Sequence, residues 1–182
     1  MITINDFIEK GVMITWTVLK IGFDGSTQYY KQLSGKDIIN YSINKIENGD
    51  ETLEVLLLAS TNESCDGEIS KLLQVLSNAE NTSIDIELRK WRAIYVYSYL
   101  LEIQDDYIQG LVELGDIWAK LDFPNDSPHV FQGRKNKITP EEYYTQENYK
   151  KLLEIHKKWL EEEIIDLRKS DGQNNIGETD SN

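Results

Sequence analysis

The chain has 182 residues, with 32 acidic and 19 basic side chains and a formal net charge of -13. This charge repels nucleic-acid phosphates and anionic lipid headgroups, which excludes a general DNA, RNA or membrane-surface binder and points to a basic macromolecule as partner. The length fits one domain, and 40% hydrophobic residues with four Trp and ten Tyr suffice for a real core.

The N-terminal segment from Val12 to Val18 is β-branched and carries a short strand or hairpin near residues 12–30 as its alternative reading. Phe7, Ile14, Val18 and Ile21 also follow helical spacing, and helix is the preferred expectation, with a loop from Gly22 to Ser26. Ser34-Gly35-Lys36-Asp37 is a cap for a helix bearing Ile39, Ile43 and Ile46. Leu53 to Ala59 is an apolar run compatible with a buried helix, and Asp66 is placed to cap a helix carrying Ile69, Leu72, Leu73 and Leu76.

The stripe Leu88, Trp91, Ile94, Tyr95 and Leu101 predicts a long helix, opened by Thr82 or Ser83 with acids in its first turn. Asp105 and Asp106 break it from the next, where Tyr107, Leu111, Leu114, Trp118 and Leu121 share one face. Residues 122–138 form a long connection with two prolines. Thr139-Pro140-Glu141-Glu142 opens a short helix that leads, across a kink near Thr145, into a long one bearing Tyr149, Leu152, His156, Trp159, Leu160, Ile164 and Leu167. The expectation is an all-α chain of about six to eight helices, with one helical domain over residues 1–169 and a disordered acidic tail over 170–182.

Charge is concentrated along this chain. Residues 1–46 carry +1, residues 47–87 carry -9, and residues 88–182 carry -5. Glu47, Asp50, Glu51, Glu54, Glu63, Asp66 and Glu68 are therefore the candidate partner-binding carboxylates; the plain alternative is a solvated face that maintains solubility.

Catalytic chemistry is sparse. The two histidines, His129 and His156, have no paired metal-ligand spacing, and one cysteine, Cys65, makes neither an internal disulfide nor a thiolate zinc site. No catalytic residue, metal or cofactor is expected. His156 lies on the apolar side of its helix and reads as a bonded core histidine. His129, with Asp122 and Asp126, is the only grouping from which a small hydrolase or nuclease-like enzyme could be built. Asp85-Ile86-Glu87-Leu88-Arg89-Lys90 superficially supplies two carboxylates and a lysine, but as a first helical turn it reads as acids complementing the helix dipole. No glycine-rich phosphate loop occurs. Arg134, Lys135 and Lys137, flanked by Phe131 and Tyr143-Tyr144, form the one basic cluster and read as balancing charge within an acidic protein. The N-terminus has no basic region before an apolar run and no stretch approaches a membrane span, so a soluble, cytoplasmic protein is expected.

From Trp118-Ala-Lys-Leu-Asp-Phe-Pro124, through Pro140-Glu-Glu-Tyr-Tyr-Thr-Gln-Glu-Asn148, to Leu152-Leu-Glu-Ile-His-Lys-Lys-Trp159, the chain resembles a family of uncharacterised bacterial proteins known only as a domain of unknown function. Members of that family look like immunity proteins of polymorphic-toxin systems, including contact-dependent growth inhibition. The resemblance implies a small acidic cytoplasmic protein that neutralises a basic toxin domain, a ribonuclease or deoxyribonuclease, without catalysis of its own. An acidic adaptor or DNA mimic is the remaining alternative.

Overall fold

Helix starts are fixed by side chains that satisfy otherwise orphaned backbone N–H groups. In the computed structural model, which describes residues 2–134 and 136–174, Thr3, Ser34 and Thr139 each close a reciprocal capping box with Asp6, Asp37 and Glu142, while Thr15 accepts from the Val18 amide. The helices are α1 (Ile4–Glu9), α2 (Trp16–Asp24), α3 (Gly35–Glu47), α4 (Leu53–Ser60), α5 (Asp66–Ala79), α6 (Ile84–Glu102), α7 (Tyr107–Lys120), α8 (Pro140–Tyr143) and α9 (Gln146–Asn174).

The chain is all-α, and among the described residues there is no strand. The strand alternative near residues 12–30 gives way to α2, whose N-terminus is held from outside. The Glu80 carboxylate accepts from the Trp16 and Thr17 amides at 2.7 and 2.9 Å, and from the Thr17 hydroxyl at 3.0 Å. Gly22 to Asp24, expected in a loop, are the last turn of α2, and the chain turns only at Gly25, where φ is 81°. Among the described residues the helix count exceeds expectation by one because the N-terminal segment divides into α1 and α2. Asp66 does not cap α5; Cys65 occupies that position, without a side-chain bond, and Asp66 is the first helical residue. Asp106 caps α7 as the sequence indicates, accepting from the Gln109 amide at 2.9 Å.

The described residues cluster into two compact units, one from Met1–Trp91 with Leu167–Asn182, the other from Arg92–Asp166. In the first, α2 packs on α5 and α3 on α4. Fully buried Trp91 anchors it: the indole N–H donates to the Val18 carbonyl at 2.9 Å, and the ring meets Phe7 edge-on at 4.9 Å between centroids. Gly22 lies directly beneath that ring, because a Cβ there would come within 2.3 Å of Trp91 Cζ2 and 2.7 Å of Leu33 Cδ1. Gly22→Ala is therefore expected to destabilise the protein by about 1–3 kcal/mol through overpacking, measured as a lowered midpoint in urea.

In the second unit the Trp118 indole N–H donates to His156 Nε2 at 2.7 Å, and Trp159 meets Trp118 edge-on at 5.0 Å. Tyr149 donates its hydroxyl hydrogen to the Gln104 carbonyl at 2.7 Å, and Gly110 leaves room for the Tyr149 ring. The kink expected near Thr145 is present between α8 and α9, where the Thr145 hydroxyl accepts from the Asn148 amide at 3.2 Å.

The disordered tail expected from residue 170 is corrected over Ser170 to Asn174, which continue α9; residues 175–182 lie outside the described residues. The helix extends because Asp171 has two partners in the first unit. Its carboxylate accepts from the Met13 amide at 3.0 Å and pairs with Lys90 Nζ at 2.7 Å.

Candidate docking surface and the His129 cavity

The seven candidate carboxylates separate into two groups, one at each end of α4. Glu47 ends α3, Asp50 and Glu51 lie in the following connection, and Glu54 is in the first turn of α4; Glu63 lies in the connection after α4, and Asp66 and Glu68 open α5. Six helical residues, 55–60, separate Glu54 from the second group, about 9 Å along the α4 axis. Asp50 and Glu54 are half-buried and the other five are exposed. Asp50 is held below the usual carboxylate range by hydrogen bonds from the Thr52 side chain and backbone, the amide bond being 3.0 Å. It remains ionised through the neutral range. Asp66 pairs with Lys31 at 2.7 Å across an exposed surface, an interaction that contributes little to stability and leaves its charge open to exchange for another cation.

Not all the acidity of residues 47–87 faces outward. Glu80 is the acceptor at the start of α2, and Glu87 is buried inside the first unit. Glu87 accepts from the Thr15 hydroxyl at 2.7 Å and pairs with Lys90 at 3.2 Å. Glu87 does lie in the first turn of α6, where an acid complements the helix dipole, but it and Lys90 are also buried and paired, which that reading did not foresee. Together with Asp171 they form a buried cluster of two carboxylates around one ammonium, with Lys90 itself fully buried. Burial, followed by the charge of Asp171, pushes the Glu87 carboxyl up against the opposing effect of Lys90 and Thr15. The spacing carries the clue to this: Glu87, Trp91 and Ile94 fall on one helical stripe, so a carboxylate on the apolar face needs a partner inside.

In the second unit, His129 is buried, and its Nε2 lies 2.9 Å from the Tyr143 hydroxyl. Burial, with a smaller contribution from His156, lowers its pKa to about 3, and burial pushes the Tyr143 phenol up to about 12. Both groups are neutral in the physiological range. Two clefts of about 290 and 320 Å³ flank the ring, walled chiefly by Phe123, Phe131, Tyr143 and Tyr144. Neither is lined by Asp122 or Asp126. Asp126 instead receives both terminal nitrogens of Arg92 at 2.9 and 2.6 Å, and Glu142 serves the α8 capping box. Asp122 is exposed, with φ at 57°. The grouping of His129 with these acids is thus not formed.

His156 has both nitrogens bonded. Nδ1 lies 2.6 Å from the Leu152 carbonyl and Nε2 receives the Trp118 N–H. An indole N–H only donates, which fixes His156 as the neutral tautomer protonated at Nδ1. Of the basic cluster, Arg134 stacks over Phe123 at 4.2 Å, Lys137 is exposed, and Lys135 lies outside the described residues. Cys65 is an exposed thiol. Among the described residues no group of three or more His, Cys, Asp or Glu side chains is placed to hold a metal ion, and no helix is long and apolar enough to cross a membrane.

Residues 4–164 match the model of a family described as an uncharacterized protein conserved in bacteria (DUF2247). The match extends the likeness carried by Trp118 to Trp159 across most of the chain. No curated protein matches the sequence, and no solved structure does.

Proposed function

The chain belongs to this uncharacterized family conserved in bacteria, and from its clustered surface carboxylates we propose that it is an immunity-type protein of the bacterial cytoplasm, which binds a cognate basic toxin domain and occludes its active-site cleft. The observation that carries this reading is the placement of seven surface carboxylates around α4, while Glu80 and Glu87 serve the interior. A nuclease toxin presents a positive cleft to RNA or DNA. An acidic inhibitor competes for that cleft and is drawn to it through long-range attraction, which raises the association rate more than the final affinity. Catalysis by the inhibitor is unnecessary. Two acidic groups separated by an apolar helix face favour a protein partner over nucleic-acid mimicry, which calls for carboxylates repeating along an elongated surface.

The test is the combined substitution Glu47→Lys, Glu51→Lys and Glu63→Lys, all at exposed positions. Against a nuclease domain encoded beside this gene, the triple variant is expected to slow association at least tenfold at low salt, with its thermal melt little changed. Unchanged association kinetics and affinity would remove the carboxylates from the interface.

A further inference from the structure

Helix α4 departs from the rule that a helix which is apolar all round is covered all round. Val55 and Leu58 are fully buried, yet Leu53, Leu56 and Leu57 are 63%, 42% and 43% exposed. These three occupy positions i, i+3 and i+4, so they form one stripe on the face opposite the core. An uncovered leucine stripe of this kind marks an interaction surface. The acidic groups described above flank it along the chain: Glu47, Asp50 and Glu51 before it, Glu54 in the first turn of α4 next to Leu53, and Glu63, Asp66 and Glu68 after it.

Charge decides what covers the stripe. In a second copy of this chain, every α4 would be acidic at both ends, so parallel and antiparallel pairing alike would bring carboxylates against carboxylates. A partner helix with a short apolar stripe and Lys or Arg at each end meets leucine with leucine and carboxylate with cation. Burial of the apolar faces would also strengthen the flanking ion pairs by excluding water. We infer that the leucine face of α4 seats an amphipathic helix with cationic ends, supplied by the basic partner. The inference rests on the function proposed above and adds the element of the partner that docks. The carboxylates then govern encounter and the leucines govern residence, as expected of an apolar centre with a charged rim.

The probe is a fluorescent synthetic peptide of about 18 residues, long enough for measurable helicity, with leucines at i, i+3, i+4 and i+7 and lysines at both ends. Controls are the same peptide with glutamates at its ends and a scrambled lysine peptide. Titrated with the full chain at about 50 mM salt, the lysine-ended helix is expected to bind, and neither control is. Leu56→Ser/Leu57→Ser should weaken binding at least tenfold, mostly through faster dissociation, without lowering the thermal midpoint, since neither side chain is in the core. Glu47→Lys/Glu51→Lys/Glu63→Lys should instead slow association and flatten the salt dependence. Binding that survives the double serine variant, or equal binding of the scrambled peptide, overturns the inference; if the charge variant still weakens the cognate nuclease complex, the proposed function stands without it. A dimer in sedimentation that the double serine variant abolishes also overturns it, by showing that the face is used for self-association.

Discussion

Lys90→Met is expected to destabilise the protein by about 3–5 kcal/mol at neutral pH, the cost of leaving buried carboxylates without their cation, measured as ΔG of unfolding in urea. Lys90 has no contact with solvent, and its ammonium lies 3.2 Å from Glu87 and 2.7 Å from Asp171. Methionine preserves most of the chain volume, so the loss reports charge rather than a cavity. The pH dependence supplies a second signature. The Glu87 carboxyl is already held above its ordinary value in the folded protein. A group raised on folding favours the folded state at low pH, and that contribution is lost as pH rises through its folded value. Removing Lys90 removes an influence that lowers this pKa, so the window moves upward and the deficit of Lys90→Met should shrink between pH 7 and pH 5. The triple variant Lys90→Met/Glu87→Gln/Asp171→Asn, with no charge left to bury, should recover most of the loss. A deficit independent of pH and undiminished in the triple variant would show that Lys90 acts through packing alone.

Acidification from pH 7 to pH 5 is expected to act in the opposite direction on the two histidines. His129 and His156 are both lowered by burial, His129 to about 3. A base lowered on folding contributes stability that is complete above its unfolded value of about 6.5 and is lost as pH falls below it, by up to about 1.4 kcal/mol per pH unit for each ring. For His156 the hydrogen bonds explain the intolerance of a second proton: Nε2 must keep its lone pair for the Trp118 N–H, and protonation sets two donors face to face. His129→Phe keeps the aromatic wall against Phe131, whose ring centroid is 4.4 Å from that of His129, and should reduce the histidine-dependent slope. Unfolding free energies measured at half-unit intervals, for the wild type and this variant, decide the matter. Parallel curves would show that His129 takes up no proton on unfolding in this range.

Much of the architecture was legible because it depends on local rules. The stripes of α7 and α9, the capping boxes of α3 and α8, and the break at Thr145 follow from side chains a few residues apart. What could not be read depends on contacts distant along the chain. Nothing near Asp171 in its polar segment announces Lys90, so residues 170–174 looked like a tail. Glu80 resembled its acidic neighbours, although it is the external cap of α2. The candidate surface was legible as composition but not as shape. An apolar run such as Leu53 to Ala59 does not disclose which of its sides is covered, and covering only Val55 and Leu58 turns an expected core helix into an exposed one. His156 was rightly read as a bonded core histidine, whereas the burial of His129 and the engagement of Asp126 by Arg92 required the folded loop.

The unit that contains Lys90 is discontinuous: it takes Met1–Trp91 and then Leu167–Asn182, with all of Arg92–Asp166 in between. On the ribosome, Asp171 emerges after Lys90 by the length of the entire second unit. A nascent chain that has released Trp91 but not Leu167 can offer Lys90 only Glu87, and the Met13 amide lacks its carboxylate acceptor. Vectorial synthesis therefore leaves the ion cluster around Lys90 electrostatically incomplete until the last turns of α9 have been made.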